Sequence, residues 1–193
     1  MKIGLILLAA GNSTRMGSPK QLVDYRGKTL LRHAVETALA SVCQPVVVVL
    51  GANADAIRPS ITELPVEIVV NDRWEEGMGT SIHSGVSLAM ARDLDGIILA
   101  LADQPLVSAE FYDRLIAEHR VSGKPIVTSE YAGTVGVPVF FASSHFSKLL
   151  ALAPDQGCKG IILSHGTDAL RIACPEAGID IDTPLDLERV LRT

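Results

Sequence analysis

A loop of small residues follows the first apolar run of the chain and ends with two cations. Gly11 and its neighbours would let backbone N–H groups approach a ligand closely, and successive N–H groups in such a loop form an anion-binding concavity. Arg15 and Lys20 add positive charges at a spacing that lets both reach one polyphosphate. The loop matches neither the Gly-x-Gly-x-x-Gly fingerprint nor the P-loop. It predicts a phosphate site, with an ordinary strand-to-helix loop carrying two solvated cations as the alternative.

Two acidic segments supply candidate metal ligands. Asp103 stands where an apolar run ends, and ligands bind at the carboxyl ends of the strands in open α/β sheets. A carboxylate there suits Mg²⁺, which takes one or two carboxylates and leaves other positions to phosphate oxygens and water. Asp180 and Asp182 would lie on one face of a strand. The alternatives are a turn or capping role for Asp103, and a solvated face on which Asp182 or Thr183 caps the last helix.

The other polar candidates carry weaker signals. The segments 71–72 and 79–81 sit at strand-to-helix passages, where they could contact a nucleobase or ribose or serve as turns. The five histidines show no metal-ligand spacing. The three cysteines are far apart, which argues against a disulfide scaffold or structural zinc and for a reducing compartment. Cys43 and Cys174 are expected to fill the core.

The composition excludes several classes of function. A chain of 193 residues with 48% hydrophobic residues can build one core, so we expect a single domain over residues 1–193. The net charge of −5 and the aromatic content of 4% argue against binding to nucleic acid. No stretch approaches the roughly 20 apolar residues of a membrane span, and the short run after Lys2 favours a buried strand over a signal peptide. We therefore expect a cytoplasmic protein.

Alternating strands and helices must position these residues. Apolar runs with little alternation are typical of strands buried on both faces of a parallel sheet. We predict strands over residues 3–9, 46–50, 67–70, 96–102, 125–128, 135–141 and 169–173. Helical periodicity predicts helices over 29–40, 81–91, 108–119 (with Ser108 as N-cap), 143–152, 158–165 and 184–191. The pattern predicts an α/β fold, a three-layer α/β/α sandwich with a Rossmann-like, mainly parallel sheet.

The opening loop also carries a family resemblance. The segment Leu8-Ala9-Ala10-Gly11-x-Ser13-x-Arg15-Met16-Gly17-x-Pro19-Lys20 closely resembles the signature of the nucleotidyltransferases related to molybdenum cofactor cytidylyltransferase. The resemblance covers essentially the whole chain, with further matches at 48–52, 71–81, 102–105, 136–139 and 180–184. Guanylyltransferase relatives usually carry Ala-Gly-Gly at 9–11 and Asp-Lys at 19–20, so this chain follows the cytidylyl pattern. It departs from its relatives at 154–159, where Pro154 and Cys158 replace a usual Gly and Ala, beside the expected acceptor site.

The resemblance implies the nucleotide-diphospho-sugar transferase type of fold and Mg²⁺-dependent transfer of CMP from CTP to molybdopterin, with pyrophosphate released. The alternatives are a guanylyltransferase or another cytidylyl or nucleotidyl transferase that acts on a different phosphate acceptor, and a non-catalytic chaperone module that binds nucleotide or cofactor. A molybdenum hydroxylase apoenzyme is a further candidate partner. The implied catalytic residues are Arg15, Lys20 and Asp103. The implied nucleotide contacts are Leu8, Ala9, Ala10, Gly11, Arg15, Lys20, Asn71, Gly79, Ser81 and Asp103; the metal ligands are Asp103 and Asp182; and the acceptor contacts are Gly136, Pro138, Asp155 and Lys159.

Overall fold

The computed structural model describes residues 1–192 and consists of nine strands and seven α-helices within that range. The strands are β1 (Ile3–Ala9), β2 (Asp24–Tyr25), β3 (Lys28–Thr29), β4 (Val46–Leu50), β5 (Glu67–Val70), β6 (Gly96–Leu101), β7 (Ile126–Tyr131), β8 (Thr134–Ala142) and β9 (Ala169–Ala173). The helices are α1 (Leu30–Leu39), α2 (Ala54–Ile57), α3 (Met78–Ala91), α4 (Ala109–Ser122), α5 (Phe146–Leu150), α6 (Lys159–Ser164) and α7 (Pro184–Leu191). Among these residues, no helix is both long and apolar enough to cross a membrane.

Seven strands form one sheet in the order β5-β4-β1-β6-β8-β7-β9. Strand β8 runs antiparallel to both of its neighbours, and the remaining strands are parallel to one another. The chain proceeds from β1 to β4 and β5 on one side, and then returns to β6 on the other side of β1. The carboxyl ends of β1 and β6 therefore border the crevice at which open α/β sheets bind ligands.

Helices cover both faces of the sheet, which explains the unbroken apolar runs. Side chains of β1 alternate between two buried clusters: Leu5 and Leu7 pack in the cluster that includes α1 and α4, while Ile6 and Leu8 pack in the cluster that includes α3 and α5. A strand buried on both faces has no polar side to alternate. The predicted three-layer architecture with a mainly parallel sheet is confirmed.

The structure differs from the sequence predictions in a few short segments. Helix α3 begins at Met78, three residues earlier than predicted, directly after Gly77 with a φ of 124°. The sequence pattern did not predict this first turn because Gly79 and Thr80 contribute no apolar periodicity. Segment 143–152 is a 3-10 turn followed by α5 rather than one helix. Ser108 holds the N-cap position of α4 without a capping hydrogen bond from its side chain. The β2–β3 hairpin was not predicted; Arg26 and Gly27, both with positive φ, form its turn.

Candidate active site

A cavity of about 380 Å³ opens where the carboxyl ends of β1 and β6 meet the start of α3. Its volume falls in the range of ligand-binding pockets. Most of the predicted nucleotide contacts line it: Leu8, Ala9, Ala10, Gly11, Lys20, Ser81 and Asp103. Sheet topology is responsible for this assembly, because it brings residues 8–20 and 101–103 to neighbouring strand ends. Arg15, Asn71 and Gly79 lie outside the lining.

Lys20 lies between the two predicted metal ligands, Asp103 and Asp182. Its Nζ donates to Asp103 Oδ2 at 2.5 Å and to Asp182 Oδ1 at 2.9 Å. Arg15 Nη2 donates to the other oxygen of Asp182 at 2.8 Å. The Lys20 side chain is 16% exposed, so it is not the solvated loop cation of the alternative interpretation. Two cations and two carboxylates from three distant parts of the sequence thus form one cluster at the edge of the cavity.

The pKa values within this cluster follow from burial and charge pairing. Burial pushes the pKa of Lys20 down, but the charge and hydrogen bond of Asp103, followed by those of Asp182, outweigh burial and raise it. Burial likewise pushes the pKa of Asp182 up, and the bonds and charges of Lys20 and Arg15 lower it overall. At neutral pH the cluster therefore consists of ammonium, guanidinium and ionised Asp182.

The two carboxylates are not used for helix capping. Thr183, rather than Asp182, caps α7: its side chain and that of Asp186 form a reciprocal capping box.

Asp103 binds Lys20 through Oδ2, while its Oδ1 is buried and has no hydrogen-bond partner among residues 1–192. A buried carboxylate oxygen without a partner is costly, and it is available to a ligand or cation from the cavity. The backbone carbonyl of Asp103 accepts a hydrogen bond from Ile181 N at 2.9 Å, which holds segment 180–182 beside β6.

The donor set fits a hard divalent cation that is completed by other ligands. Within the described chain, no group of three or more His, Cys, Asp or Glu side chains is arranged to hold a metal by itself. Mg²⁺ and similar ions commonly use one or two carboxylates together with phosphate oxygens and water. Asp103 and Asp182, which share the Lys20 ammonium as their present counter-charge, meet this requirement.

Asp180 differs from Asp182 in both placement and electrostatics. Segment 180–182 is a loop rather than the expected strand, because within residues 1–192 its only backbone hydrogen bond to the sheet segment is the one from Ile181 to Asp103. Partial burial, followed by the negative charge of Asp103, raises the pKa of Asp180. Lys20 and Arg15 pair with Asp182 and not with Asp180. The geometry therefore favours Asp182 over Asp180 as the second carboxylate, and its role as a metal ligand stays a prediction.

Asn71 supports the start of α3 from behind the cavity wall. Its Nδ2 donates to Thr80 Oγ1 at 2.8 Å and to Ser81 Oγ at 3.0 Å. Ser81 reaches the cavity, whereas Asn71 is buried and orients it. Gly79 is required for packing: a Cβ there would lie 2.2 Å from the carbonyl oxygen of Ala153. Gly79 thus fixes the position of α3 against the 153–156 segment.

The four predicted acceptor contacts are not brought together in the main cavity. A Cβ on Gly136 would lie 2.3 Å from the Tyr131 hydroxyl, so this glycine makes room for an aromatic side chain. The carbonyl of Pro138 accepts from the buried Ser129 hydroxyl at 2.6 Å. Asp155 lies in the segment that packs on the start of α3, and Lys159 lines a separate shallow depression beside α6. Their role in acceptor binding stays a prediction.

Sequence reasoning missed several residues that line the cavity. Gln21, Trp74, Glu75 and Met78 all contribute to its wall. Gln21 is only 3% exposed. The burial of this glutamine beside the glycine-containing loop cannot be predicted from the sequence, so no sequence signal marked it as a site residue. Cys43 and Cys174 are buried as expected, and Cys158 is buried as well. Burial raises the pKa of Cys158 to about 12, which makes it a poor nucleophile.

Comparison with known proteins identifies the family of the chain. The model of the MobA-like NTP transferase domain family matches residues 5–169. The purine catabolism protein PucB of Bacillus subtilis is 30% identical over 97% of this chain and 95% of its own length. Nicotine blue oxidoreductase of Paenarthrobacter nicotinovorans is 45% identical, but the match covers 60% of this chain and 56% of that protein.

Solved structures extend the likeness over the whole chain. The crystal structure of Rv0371c from Mycobacterium tuberculosis H37Rv superposes with a TM-score of 0.86 and 31% identity, covering 100% of this chain and 98% of that one. Another structure of that protein, a complex with manganese, gives a TM-score of 0.80 at 29% identity and covers both chains completely. On the family match and this shared fold, the chain belongs to the MobA-like NTP transferase domain family and is a nucleotidyltransferase.

Proposed function

We propose that this nucleotidyltransferase transfers CMP from CTP to the phosphate of molybdopterin in a Mg²⁺-dependent reaction that releases pyrophosphate. The observation that carries the proposal is the cluster of Lys20, Arg15, Asp103 and Asp182 at the edge of the cavity. It combines cations suited to a triphosphate with carboxylates suited to a divalent ion. A molybdenum hydroxylase apoenzyme would be the recipient of the product, as the sequence resemblance implies.

The chemistry needs charge neutralisation and positioning more than a general base. An acceptor phosphate monoester is already largely anionic at pH 7, so it can attack the α-phosphorus without losing a proton to the protein. Repulsion between two anions then opposes the reaction, and fixed positive charge at the site opposes that repulsion. In the proposed roles, Arg15 and Lys20 hold the triphosphate, and Asp103 and Asp182 hold Mg²⁺, which when bound supplies further positive charge to the phosphates.

Lys20 must change partners during this cycle. In the structure the Lys20 ammonium neutralises both carboxylates. With Mg²⁺ held by Asp103 and Asp182, the ion would neutralise these carboxylates, and the Lys20 ammonium would be available to the phosphates of the nucleotide. The manganese complex of Rv0371c supports a divalent ion in the family fold.

The choice of CTP rests on the cytidylyl pattern at residues 9–11 and 19–20. Ala10 packs closely against Gly51, since a Cβ on Gly51 would lie 2.8 Å from Ala10 Cβ.

The test is pyrophosphate release with Mg²⁺, crossing the four common nucleoside triphosphates with and without molybdopterin. Release of pyrophosphate only with CTP plus molybdopterin supports the proposal. Release with GTP instead of CTP would show that the nucleotide donor is GTP. Asp103→Asn is expected to abolish release while the protein stays folded. Asp168→Asn, which alters a surface carboxylate paired with Lys124, serves as the matched control and should retain full activity. No pyrophosphate from any combination, with nucleotide bound, would refute molybdopterin as the acceptor.

A further inference from the structure

We infer that Gln21 is a positioning residue for nucleotide binding, because its carboxamide fixes the peptide orientation of the loop that follows β1. The inference rests on nucleotide binding in the cavity, as the proposed function does, but not on the identity of the nucleoside or the acceptor. Gln21 is 3% exposed and lines the cavity next to Ala9, Gly11 and Lys20.

The Gln21 carboxamide is fully engaged with the loop. Its Nε2 donates to the carbonyl oxygens of Ala9 at 2.9 Å and Gly11 at 3.0 Å, so both of its N–H bonds are directed at the backbone. Its Oε1 accepts from Ser13 Oγ at 3.3 Å. One buried side chain therefore holds three residues of the loop, and each of these bonds spans 8 to 12 residues of sequence.

Anchoring the carbonyls fixes the N–H groups as well. In a trans peptide the C=O and N–H bonds point in opposite directions. Drawing the carbonyls of Ala9 and Gly11 toward Gln21 therefore turns the N–H groups of Ala10 and Asn12 away from it. Gly11, which lacks a Cβ, and Ser13, with a φ of 55°, would otherwise allow other loop conformations. The carboxamide thus selects one arrangement of the backbone donors that a nucleotide would meet.

The same network reaches the phosphate-binding side. Ser13 Oγ, which donates to Gln21, accepts the backbone N–H of Lys20 at 3.1 Å. Gln21 itself follows Lys20 in a 3-10 turn, Lys20–Leu22. The side chain of Gln21 consequently ties the segment of Ala9–Gly11 to the backbone of the lysine that neutralises Asp103 and Asp182. A change at Gln21 should disturb both ends of a bound nucleotide.

Two variants isolate the carboxamide. Gln21→Met keeps the length of the side chain but cannot donate to either carbonyl. Gln21→Glu keeps its shape but presents acceptor oxygens to two carbonyl oxygens. Losing two hydrogen bonds of ordinary strength predicts roughly 10- to 100-fold weaker nucleotide binding. Because the loop contacts substrate and transition state alike, KM for the nucleotide should rise by that factor while kcat changes little.

The assay uses a reporter already present in the cavity. Trp74 is the single tryptophan of the chain and lines the same cavity, so its fluorescence can follow titration with each nucleoside triphosphate and Mg²⁺, checked by calorimetry. Ser41→Ala is the matched control, since the buried Ser41 hydroxyl also bridges backbone groups, Ala38 O at 2.6 Å and Cys43 N at 3.3 Å, away from the cavity. It should lower thermal stability without changing nucleotide affinity.

The outcomes separate this inference from the proposed function. Weaker binding in both Gln21 variants with unchanged binding in Ser41→Ala supports the positioning role. Binding within about twofold of the unmodified protein, in a folded Gln21→Met variant, would overturn it. If the Gln21 variants do not fold, Ser13→Ala, which cuts the link to Lys20, must weaken binding or the inference fails. If the protein prefers GTP to CTP, the proposed donor is wrong, and the same comparison made with GTP still decides the role of Gln21.

Discussion

Replacing Lys20 by methionine tests the electrostatic logic of the site most directly. The ammonium bonds both Asp103 and Asp182, and its side chain is only 16% exposed. Lys20→Met preserves most of the apolar stem and removes the charge. Asp103 then loses the only hydrogen-bond partner of its carboxylate found within residues 1–192, while Asp182 retains Arg15.

The expected cost follows from the burial of the pair. Breaking a buried ion pair by removing one partner costs about 3–5 kcal/mol. Asp103 is 17% and Asp182 30% exposed, so water can reach both in part, and the lower end, about 3 kcal/mol of unfolding free energy, is appropriate. For a chain of this size that corresponds to a fall in Tm of roughly 6–12 °C. Lys28→Met is the control, because Lys28 pairs with Glu36 near the surface and should cost less than about 1 kcal/mol.

The same substitution should improve metal binding in the absence of nucleotide. A divalent ion entering the unmodified site must displace the Lys20 ammonium from two carboxylates, whereas in Lys20→Met it meets Asp103 without a partner among residues 1–192 and Asp182 paired only with the exposed Arg15. Mn²⁺ affinity of the nucleotide-free protein, measured by calorimetry or by electron paramagnetic resonance of free Mn²⁺, should rise about tenfold or more. Mn²⁺ should also restore part of the lost Tm. An unchanged Tm together with an unchanged Mn²⁺ affinity would refute the assignment of Lys20 as the counter-charge.

Three further predictions concern packing and charge. Gly79→Ala would place a Cβ 2.2 Å from Ala153 O and should cost about 1–3 kcal/mol in thermal unfolding, whereas Gly160→Ala, which has open space in α6, should be neutral or stabilising. Asp180→Asn should raise the Tm of metal-free protein at pH 7, because the pKa of Asp180 is raised by burial and by Asp103; the gain should vanish as pH falls through that pKa, where Asp180 is protonated anyway. The pKa of His145 is lowered by burial and by the nearby His165 and Lys148, so the fold binds fewer protons than the unfolded chain. Stability should therefore fall as pH drops below about 6.5, and less so in His145→Gln, when Tm is followed from pH 8 to pH 5.

The layers of the fold and most of its strands could be predicted from the amino-acid sequence. Apolar runs such as Ile3–Ala9 and Val46–Leu50 are buried on both faces, and the absence of alternation reports that burial directly. The loop from Leu8 to Lys20 could also be recognised locally, because its chemistry resides in consecutive residues. The hairpin Asp24–Thr29 escaped prediction because its strands are two residues long and its turn uses Arg-Gly rather than Asn-Gly.

The way in which these residues combine could not be predicted, because it depends on contacts between distant parts of the chain. Asp182 lies 162 residues from Lys20 in sequence, and no local pattern could state that they share a hydrogen bond, or that Thr183 rather than Asp182 caps α7. In the sequence Gln21 resembles any other polar loop residue, and only the structure shows that its carboxamide donates to two backbone carbonyls of the loop. The physical reason is general: periodicity and local chemistry report burial and backbone conformation, whereas the partner of a charge or an amide depends on which strand ends the sheet order brings together.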